Sequence, residues 1–446
     1  GGGGGGGGGG APFTLVAPAA QFEAEWLGGD AAVPPPTLSF LARCQPKHSL
    51  HELRVATNRE LASLPQHGSV RHLELDLACS GGSSGGAPCA YATADDLAVC
   101  PDNGPALAAK LASRLGLAPA ATFALRPRPS AAGGAAPPLP TPCSVEQALR
   151  YHADVRAPAP KGLLLMLADA CSDGASSARL RHLASPAGKE EYAAHISRDG
   201  RGVAELLDDF PSCSPPWSSL LELCPKLTPR YYTISSSPAS DPHRAHLTVK
   251  VLREPRRGAE ARTKEGVCST QLEGLPAGAP AYVFVRPSFF TLPADPAAPI
   301  VMVGPGTGIA PFRAFLRELS TAAVPRPGHV RLYFGCRRPE EDYLYEGELA
   351  EHLRSGALSS LRVAFSRAKA QKVYVQHLVA ADGAELWGML QRDAHFYICG
   401  GTAMGRDVVG ALQRAVAAHG QMSDAAAEGY VKELQAKGRL MQELWS

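Results

Sequence analysis

Apolar and polar positions along this chain fall into three regimes. Over residues 71–77, Leu73, Leu75 and Leu77 alternate with His72, Glu74 and Asp76, the two-residue period of a half-buried strand. Short strand-like runs return at 231–234, 246–252 and 282–286, and their close spacing predicts an antiparallel barrel. Between them, residues 144 to about 223 mix polar and apolar positions at helical spacing, which predicts an inserted helical segment. From Pro299 onward, short apolar runs alternate with amphipathic ones. Strands are expected at 300–303, 330–334, 361–365 and 396–399, and helices at 309–319, 346–354 and 404–419. That alternation means βαβ units and a parallel sheet.

Stretches without a period divide these regimes. Gly1 to Gly10 is a glycine run with no side chains to bury. Residues 11–37 are rich in Ala and Pro and read as an irregular lead-in, with order beginning near Leu38. Residues 80–87 form a Gly/Ser loop, and residues 127–142 read as a linker. Because the first residue is Gly and not Met, the chain is expected to be a fragment.

Composition narrows the function classes. A length of 446 residues implies roughly two to three domains. Lys and Arg total 44 against 42 for Asp and Glu, and a net charge of +2 gives no field to recruit nucleic acid or anionic lipid. The 11 cysteines include no C-x-x-C pair, and no His cluster has zinc spacing, so reduced thiols and no metal are expected. No run approaches the roughly 18 apolar residues of a membrane helix, so the chain is expected to be soluble, with no membrane contact.

Candidate chemistry begins at Val301-Met302-Val303-Gly304-Pro305-Gly306-Thr307-Gly308-Ile309-Ala310-Pro311-Phe312. An apolar strand runs into three glycines that let backbone amides approach a ligand, and Pro311 suits the first turn of a helix. The N-terminus of that helix can hold phosphate, although a plain strand–turn–helix junction has the same sequence. Arg230-Tyr231-Tyr232-Thr233 sets a cation, two aromatic faces and a hydroxyl on one strand, suited to a pyrophosphate and a flat ring or to an ordinary surface strand. Gly266-Val267-Cys268-Ser269 offers either phosphate-binding amides or a turn. Cys399 ends a parallel strand, where ligands of open α/β sheets bind, and Trp445 is a large aromatic one residue from the end.

Taken together, residues 230–234, 266–268 and 304–312, Tyr333-Phe334-Gly335-Cys336-Arg337, Asp342-Tyr343-Leu344-Tyr345, Ser366-Arg367, Lys372-Val373-Tyr374-Val375-Gln376, Cys399-Gly400 and Leu444-Trp445-Ser446 resemble the NADPH-cytochrome P-450 reductase family of diflavin reductases. The similarity runs from about Arg54 to Ser446 and is most specific beyond Lys226. It implies an antiparallel FAD-binding barrel interrupted by a helical connecting insertion, then a parallel α/β NADPH-binding domain, as in ferredoxin-NADP reductases. The implied boundaries are 1–37 for a disordered low-complexity lead-in, 38–103 and 227–293 for the two parts of the barrel, 104–226 for the connecting segment with its linker, and 294–446 for the NADPH domain.

The resemblance also implies roles. Arg230 falls on the FAD pyrophosphate, Tyr231 and Tyr232 supply aromatic faces, with Tyr232 on the isoalloxazine, and Gly266, Val267, Cys268 and Ser269 form a second phosphate stretch. Gly304, Gly306, Thr307 and Gly308 make the turn that faces the NADPH pyrophosphate. Ser366, Arg367, Lys372 and Tyr374 fall in the 2'-phosphate pocket, and Gln376 is a further cofactor-binding residue. Thr233, Cys399, Glu443 and Trp445 surround hydride transfer, with Trp445 as a gate over the flavin. An FMN-binding flavodoxin-like domain, expected to be absent from this chain, would take single electrons from FAD and hand them to a haem protein such as cytochrome P-450. The implied location is cytoplasmic, on the cytosolic face of the endoplasmic reticulum if an anchor precedes the chain. A stand-alone FAD reductase serving a separate flavodoxin-like carrier, and a non-catalytic nucleotide-binding module, are the alternatives. The chain departs from the family at Thr233 for Ser, Glu443 for Asp, Gln271 for an aromatic, Ala94-Asp95-Asp96 for Gly-Asp-His and Cys100 for Tyr. Residues 399–404 are one shorter than usual and lack an Asp after Gly400.

Overall fold

The computed structural model describes residues 15–28, 33–63, 68–82, 89–131, 136–255, 263–322 and 326–445. The glycine run, most of the loop at 80–87 and part of the linker at 127–142 lie outside the described residues. The chain forms two compact units: Gly1–Cys44 with Asp102–Thr228 and Glu254–Lys264, and Gln45–Pro101 with Pro229–Arg253 and Glu265–Ser446.

The first unit is helical, with a small sheet of Phe22–Trp26, Thr122–Pro127 and Cys143–Ser144. Phe22–Trp26 corrects the expectation of an irregular lead-in. Five consecutive residues there pair antiparallel with the Thr122–Pro127 strand, from Phe22 opposite Pro127 to Trp26 opposite Phe123, so a partner distant in sequence supplies the order. Helix Thr37–Cys44 belongs to this unit too, with Phe40 and Leu41 buried. Ser144 caps Val145–Tyr151 by accepting from the Gln147 amide while the Gln147 side chain returns to the Ser144 amide. The expectation of uniformly reduced thiols is also corrected. Cys171 and Cys213, 42 residues apart, face each other across an antiparallel bridge and form a disulfide. Such a pairing leaves no mark in local cysteine spacing.

The second unit holds two sheets. One has six antiparallel strands in the order Arg230–Thr233, Asp96–Val99, Pro280–Arg286, His51–Glu60, Val70–Gly82, Arg244–Lys250. Leu53, Val55, Leu73, Leu75, Leu97, Val99, Leu247 and Val283 fill its core. These are the antiparallel strands expected of the barrel. The outer strands meet at a single bridge, Ile234 to Leu247, and among the described residues no continuous ladder closes the sheet.

The other sheet is parallel, in the order Ser360–Phe365, Val330–Cys336, Ile300–Val303, His395–Gly401, Leu440–Trp445. Successive residues of Ile300–Val303 point to opposite faces. Ile300 and Met302 pack with Phe312, Phe315 and Leu332, whereas Val301 and Val303 pack with Phe396, Val408 and Leu412. A strand covered on both faces reads as a continuous apolar run, as Ile-Val-Met-Val does.

A buried polar joint ties this part to the antiparallel sheet. Arg313, on helix Ala310–Ser320, is 4% exposed. It donates to both Glu348 oxygens at 2.8 and 3.1 Å and to the Ser235 carbonyl at 2.8 Å. Arg317 holds Asp241 through two hydrogen bonds, at 2.8 and 2.9 Å. Among the described residues, no helix is long and apolar enough to cross a membrane.

Candidate functional site

At the C-terminal end of Ile300–Val303 the chain makes a 3-10 turn, Gly306–Ile309, and enters Ala310–Ser320 with Pro311 in the first turn and no side-chain cap. Two of the glycines are sterically required. A Cβ on Gly308 would lie 2.1 Å from the Cys399 carbonyl oxygen, and one on Gly304 would lie 2.4 Å from that of Gly308. Gly306 has φ +56 and open space around it.

Gly306 and Thr307 line a cleft of about 730 Å³ together with Arg337, Ser366, Arg367, Tyr374 and Gln376. Arg367 and Lys372 are exposed and form no ion pair among the described residues. Tyr374 is 41% exposed. Gln376 donates to Asp407 at 3.2 Å, while its Oε1 is buried without a partner. Three residues of the predicted phosphate pocket, Ser366, Arg367 and Tyr374, therefore share one cleft with Gln376, and Lys372 lies outside its lining. Arg337 and Lys250 line it as well, and neither is singled out by sequence as a site residue.

On the antiparallel sheet, Arg230, Tyr231, Tyr232 and Thr233 pair in register with Val99, Ala98, Leu97 and Asp96. Tyr231 is exposed, with the Arg286 guanidinium 3.8 Å over its ring. Tyr232 is half-buried, and burial, reinforced by the Cys268 thiol it hydrogen-bonds, drives its pKa far up. Helix Val267–Gly274 begins at Gly266 with no side-chain cap, leaving its first amides to other partners. Cys268 is buried, and that burial pushes its pKa up to about 12. The Ser269 hydroxyl is committed to the Leu252 amide and the Gly266 carbonyl, so it serves the turn.

A third group gathers where strand ends meet. Cys399 is 1% exposed and pairs in register with Glu443, and Gly401 pairs with Trp445, whose side chain is 45% exposed. The Thr233 hydroxyl lies 3.4 Å from Glu443 Oε2 and 3.3 Å from Asp96 Oδ1. Ser288 donates to Glu443 Oε1 at 2.6 Å, and Arg286 ion-pairs with Asp96. Burial raises the Glu443 pKa to about 7; the Asp96 charge works in the same direction, and the Ser288 and Thr233 contacts oppose it. Burial also holds the Cys399 thiol well above its usual range, with Glu443 and Asp96 adding to it.

Sequence reading treats Asp96 only as a departure and does not single out Arg286 or Ser288. The charged pair Asp95-Asp96 at the head of the apolar run Leu97-Ala98-Val99 is the available signal. Its register opposite Thr233 is a long-range pairing that no local pattern encodes. Neighbouring Asp95 accepts from the Ala92 and Ser288 amides at 2.8 and 3.0 Å, and Ala94 takes φ +66, a left-handed conformation suited to glycine.

The sequence predicts no metal centre, yet ligand atoms of His72, Glu74 and His246 lie within 4.8 Å of one another. The hydrogen bonds around them assign another role. An Arg313 N–H points at His246 Nδ1 at 3.2 Å, which leaves the ring proton on Nε2. His72 joins Tyr345 at 3.0 Å and Glu74 at 3.3 Å. The cluster extends the joint around Arg313.

Residues 45–271 match the family model described as FAD binding domain, and residues 302–410 match that of the oxidoreductase NAD-binding domain. The chain is 38% identical over 403 residues to the NADPH–cytochrome P450 reductase of Homo sapiens, covering 88% of this chain and 58% of that protein. It is 39% identical over 405 residues to that of Oryctolagus cuniculus, covering 88% and 58%. For that of Dictyostelium discoideum the identity is 36% over 394 residues, covering 88% and 57%. The chain thus spans less than two thirds of the length of these relatives.

Proposed function

The chain belongs to the FAD binding domain family and is a flavoprotein oxidoreductase with FAD and NADPH as cofactors, and from that premise we propose that it carries out the NADPH-to-FAD half of a diflavin electron-transfer chain. The electrons would leave singly for an FMN-binding flavodoxin-like domain and then for a haem protein such as cytochrome P-450. The observation that carries this reading is the join between the two sites. The turn lining the nucleotide cleft packs against the backbone of Cys399, and Cys399 sits in register with Glu443, which contacts Thr233 of the other sheet.

The residues present suit both groups. For NADPH, the cleft offers the unpaired cation Arg367, the orphaned acceptor of Gln376 and the uncapped start of Ala310–Ser320. For FAD, Arg230 and the uncapped start of Val267–Gly274 supply positive charge, and Tyr232 and Trp445 supply aromatic faces. When bound, the two cofactors supply hydride chemistry. The protein contributes position and electrostatics. Arg367, with Lys372 nearby, selects a phosphorylated ribose over a bare one. Thr233 presents a hydroxyl, Glu443 an acid with its pKa near neutrality, and Trp445 a movable cover pinned by its own strand.

The test is an anaerobic titration of the FAD-loaded chain with NADPH, followed by flavin absorbance, with NADH as control. Bleaching at about one NADPH per FAD, with a much weaker response to NADH, is the expected outcome. Retained FAD that stays oxidised would leave the non-catalytic alternative standing.

A further inference from the structure

We propose that Asp96 is a positioning residue of the hydride-transfer site, holding one proton between itself and Glu443 through the hydroxyl of Thr233. The inference rests on the hydride-transfer reading above and adds a residue that the family motif does not contribute.

Proton counting carries the argument. Thr233 Oγ1 stands between two carboxyl oxygens at nearly equal distances, 3.3 Å to Asp96 Oδ1 and 3.4 Å to Glu443 Oε2. A hydroxyl has one proton, so it donates to only one of them. With both acids ionised, the other contact would set a lone pair against a carboxylate. One added proton satisfies both contacts.

The surrounding bonds say where that proton sits. Ser288 accepts from the Phe290 amide at 3.0 Å, which frees its own proton for Glu443 Oε1 at 2.6 Å. Glu443 Oε1 is therefore an acceptor, and the acid proton belongs on Oε2, facing Thr233. Asp96 Oδ2 is ion-paired with Arg286, so Asp96 is the charged end. The array runs from the Glu443 acid to the Thr233 oxygen, and from the Thr233 proton to the Asp96 carboxylate. The groups facing Glu443 are Asp96 on Asp96–Val99, Thr233 on Arg230–Thr233, Arg286 and Ser288 at and beyond the end of Pro280–Arg286, and Cys399 on the neighbouring parallel strand. Asp96 is the negative charge that favours the acid form, and Arg286 moderates it.

Full reduction of FAD to neutral FADH2 takes up one proton besides the hydride. Glu443 holds such a proton at the strand ends where the two sites join. Asp96 acts through it and touches neither cofactor in this scheme.

The experiment is an infrared pH titration of the purified chain without nucleotide, following the carboxylic-acid carbonyl band. The wild-type chain should show an acid that titrates near pH 7, and Glu443→Gln should remove it. Asp96→Asn should move the midpoint down, weakening proton affinity about tenfold or more. Arg286→Met, which leaves Asp96 uncompensated, should move it up. Opposite shifts in the two variants establish the coupling, and if one variant does not fold, the other decides by its sign. A midpoint unmoved by the substitutions, or a band that survives Glu443→Gln, overturns the proposal. In the FAD-loaded enzyme, the pH profile of NADPH oxidation should shift with the band. A chain that binds FAD but never oxidises NADPH would sink the hydride-transfer reading while leaving the band result to stand by itself.

Discussion

Glu443 keeps its proton to about pH 7 because it is largely removed from water beside Asp96, whereas the unfolded chain would release it near the ordinary value of 4.5. The folded state therefore binds the extra proton between those two values. Stability from this group is fully present below about pH 4.5 and is lost as pH rises to 7. His72 and His246 have the opposite sign. Burial, together with the Arg313 charge, lowers their pKa values well below the usual imidazole range, so folding gains stability as pH rises toward 6.5. Glu443→Gln isolates the carboxyl term. The wild-type minus variant difference in urea unfolding free energy should fall by up to about 3 kcal/mol between pH 4.5 and 7 and stay flat above it. A flat difference across the whole range would mean that Glu443 has an ordinary acidity. Arg367, exposed on the cleft lining, and the exposed Lys372 outside that lining, both unpaired among the described residues, make a second prediction. Replacing both with Ala should raise KM for NADPH about 10- to 100-fold, the value of a lost charge-assisted hydrogen bond, and leave NADH oxidation unchanged in steady-state assays. An equal loss with both nucleotides would place these cations away from the 2'-phosphate.

At the scale of elements, the turn after Ile300–Val303 offers a comparison between two glycines two residues apart. Gly308 faces the Cys399 carbonyl so closely that a methyl group has no room, because both partners are backbone. Gly306 has φ +56 with nothing within 4 Å, so a methyl group there meets only left-handed strain. Gly306→Ala should cost about 1–2 kcal/mol and Gly308→Ala about 3 kcal/mol or more, read from denaturation midpoints. Equal costs would contradict the packing of this turn on the neighbouring strand. The turn was legible in sequence because its glycines, its proline and the flanking apolar run are all local. The alternation of strands and helices beyond Pro299 was legible for the same reason. Strand Phe22–Trp26 was not, since its order comes from Thr122–Pro127 about a hundred residues away and its own pattern is mostly exposed. His51–Glu60 buries His51, Leu53 and Val55 on one face, but two register shifts against Val70–Gly82 break the alternation that would have revealed it. The candidate site follows the same division. Residues on local motifs were readable, whereas Asp96, Arg286 and Ser288 join it through strand register alone.

For the whole molecule, the question is where electrons go after FAD. The two matched domains account for entry from NADPH, and the relatives named for a haem-protein reaction are longer than this chain, which covers 58% of them. The cleft and the strand ends proposed for hydride transfer both lie within the second compact unit. Delivery to a haem protein needs a one-electron carrier that neither matched domain provides. These two requirements separate in an assay. The FAD-loaded chain should reduce ferricyanide with NADPH, because a small acceptor can take electrons from the reduced flavin without a protein carrier. It should reduce cytochrome c slowly under the same conditions. Adding an FMN-loaded flavodoxin-like domain should raise the cytochrome c rate while leaving the ferricyanide rate unchanged, since the carrier acts after the hydride step. Fast cytochrome c reduction without any carrier would show that electrons leave FAD directly, and the proposed hand-off through FMN would then fail. Trp445→Ser separates the gate from the acceptor. Loss of the indole should tighten NADH and NADPH binding together, because the nicotinamide no longer competes with a stacked ring for the flavin face, whereas the 2'-phosphate contacts that distinguish the two nucleotides are untouched.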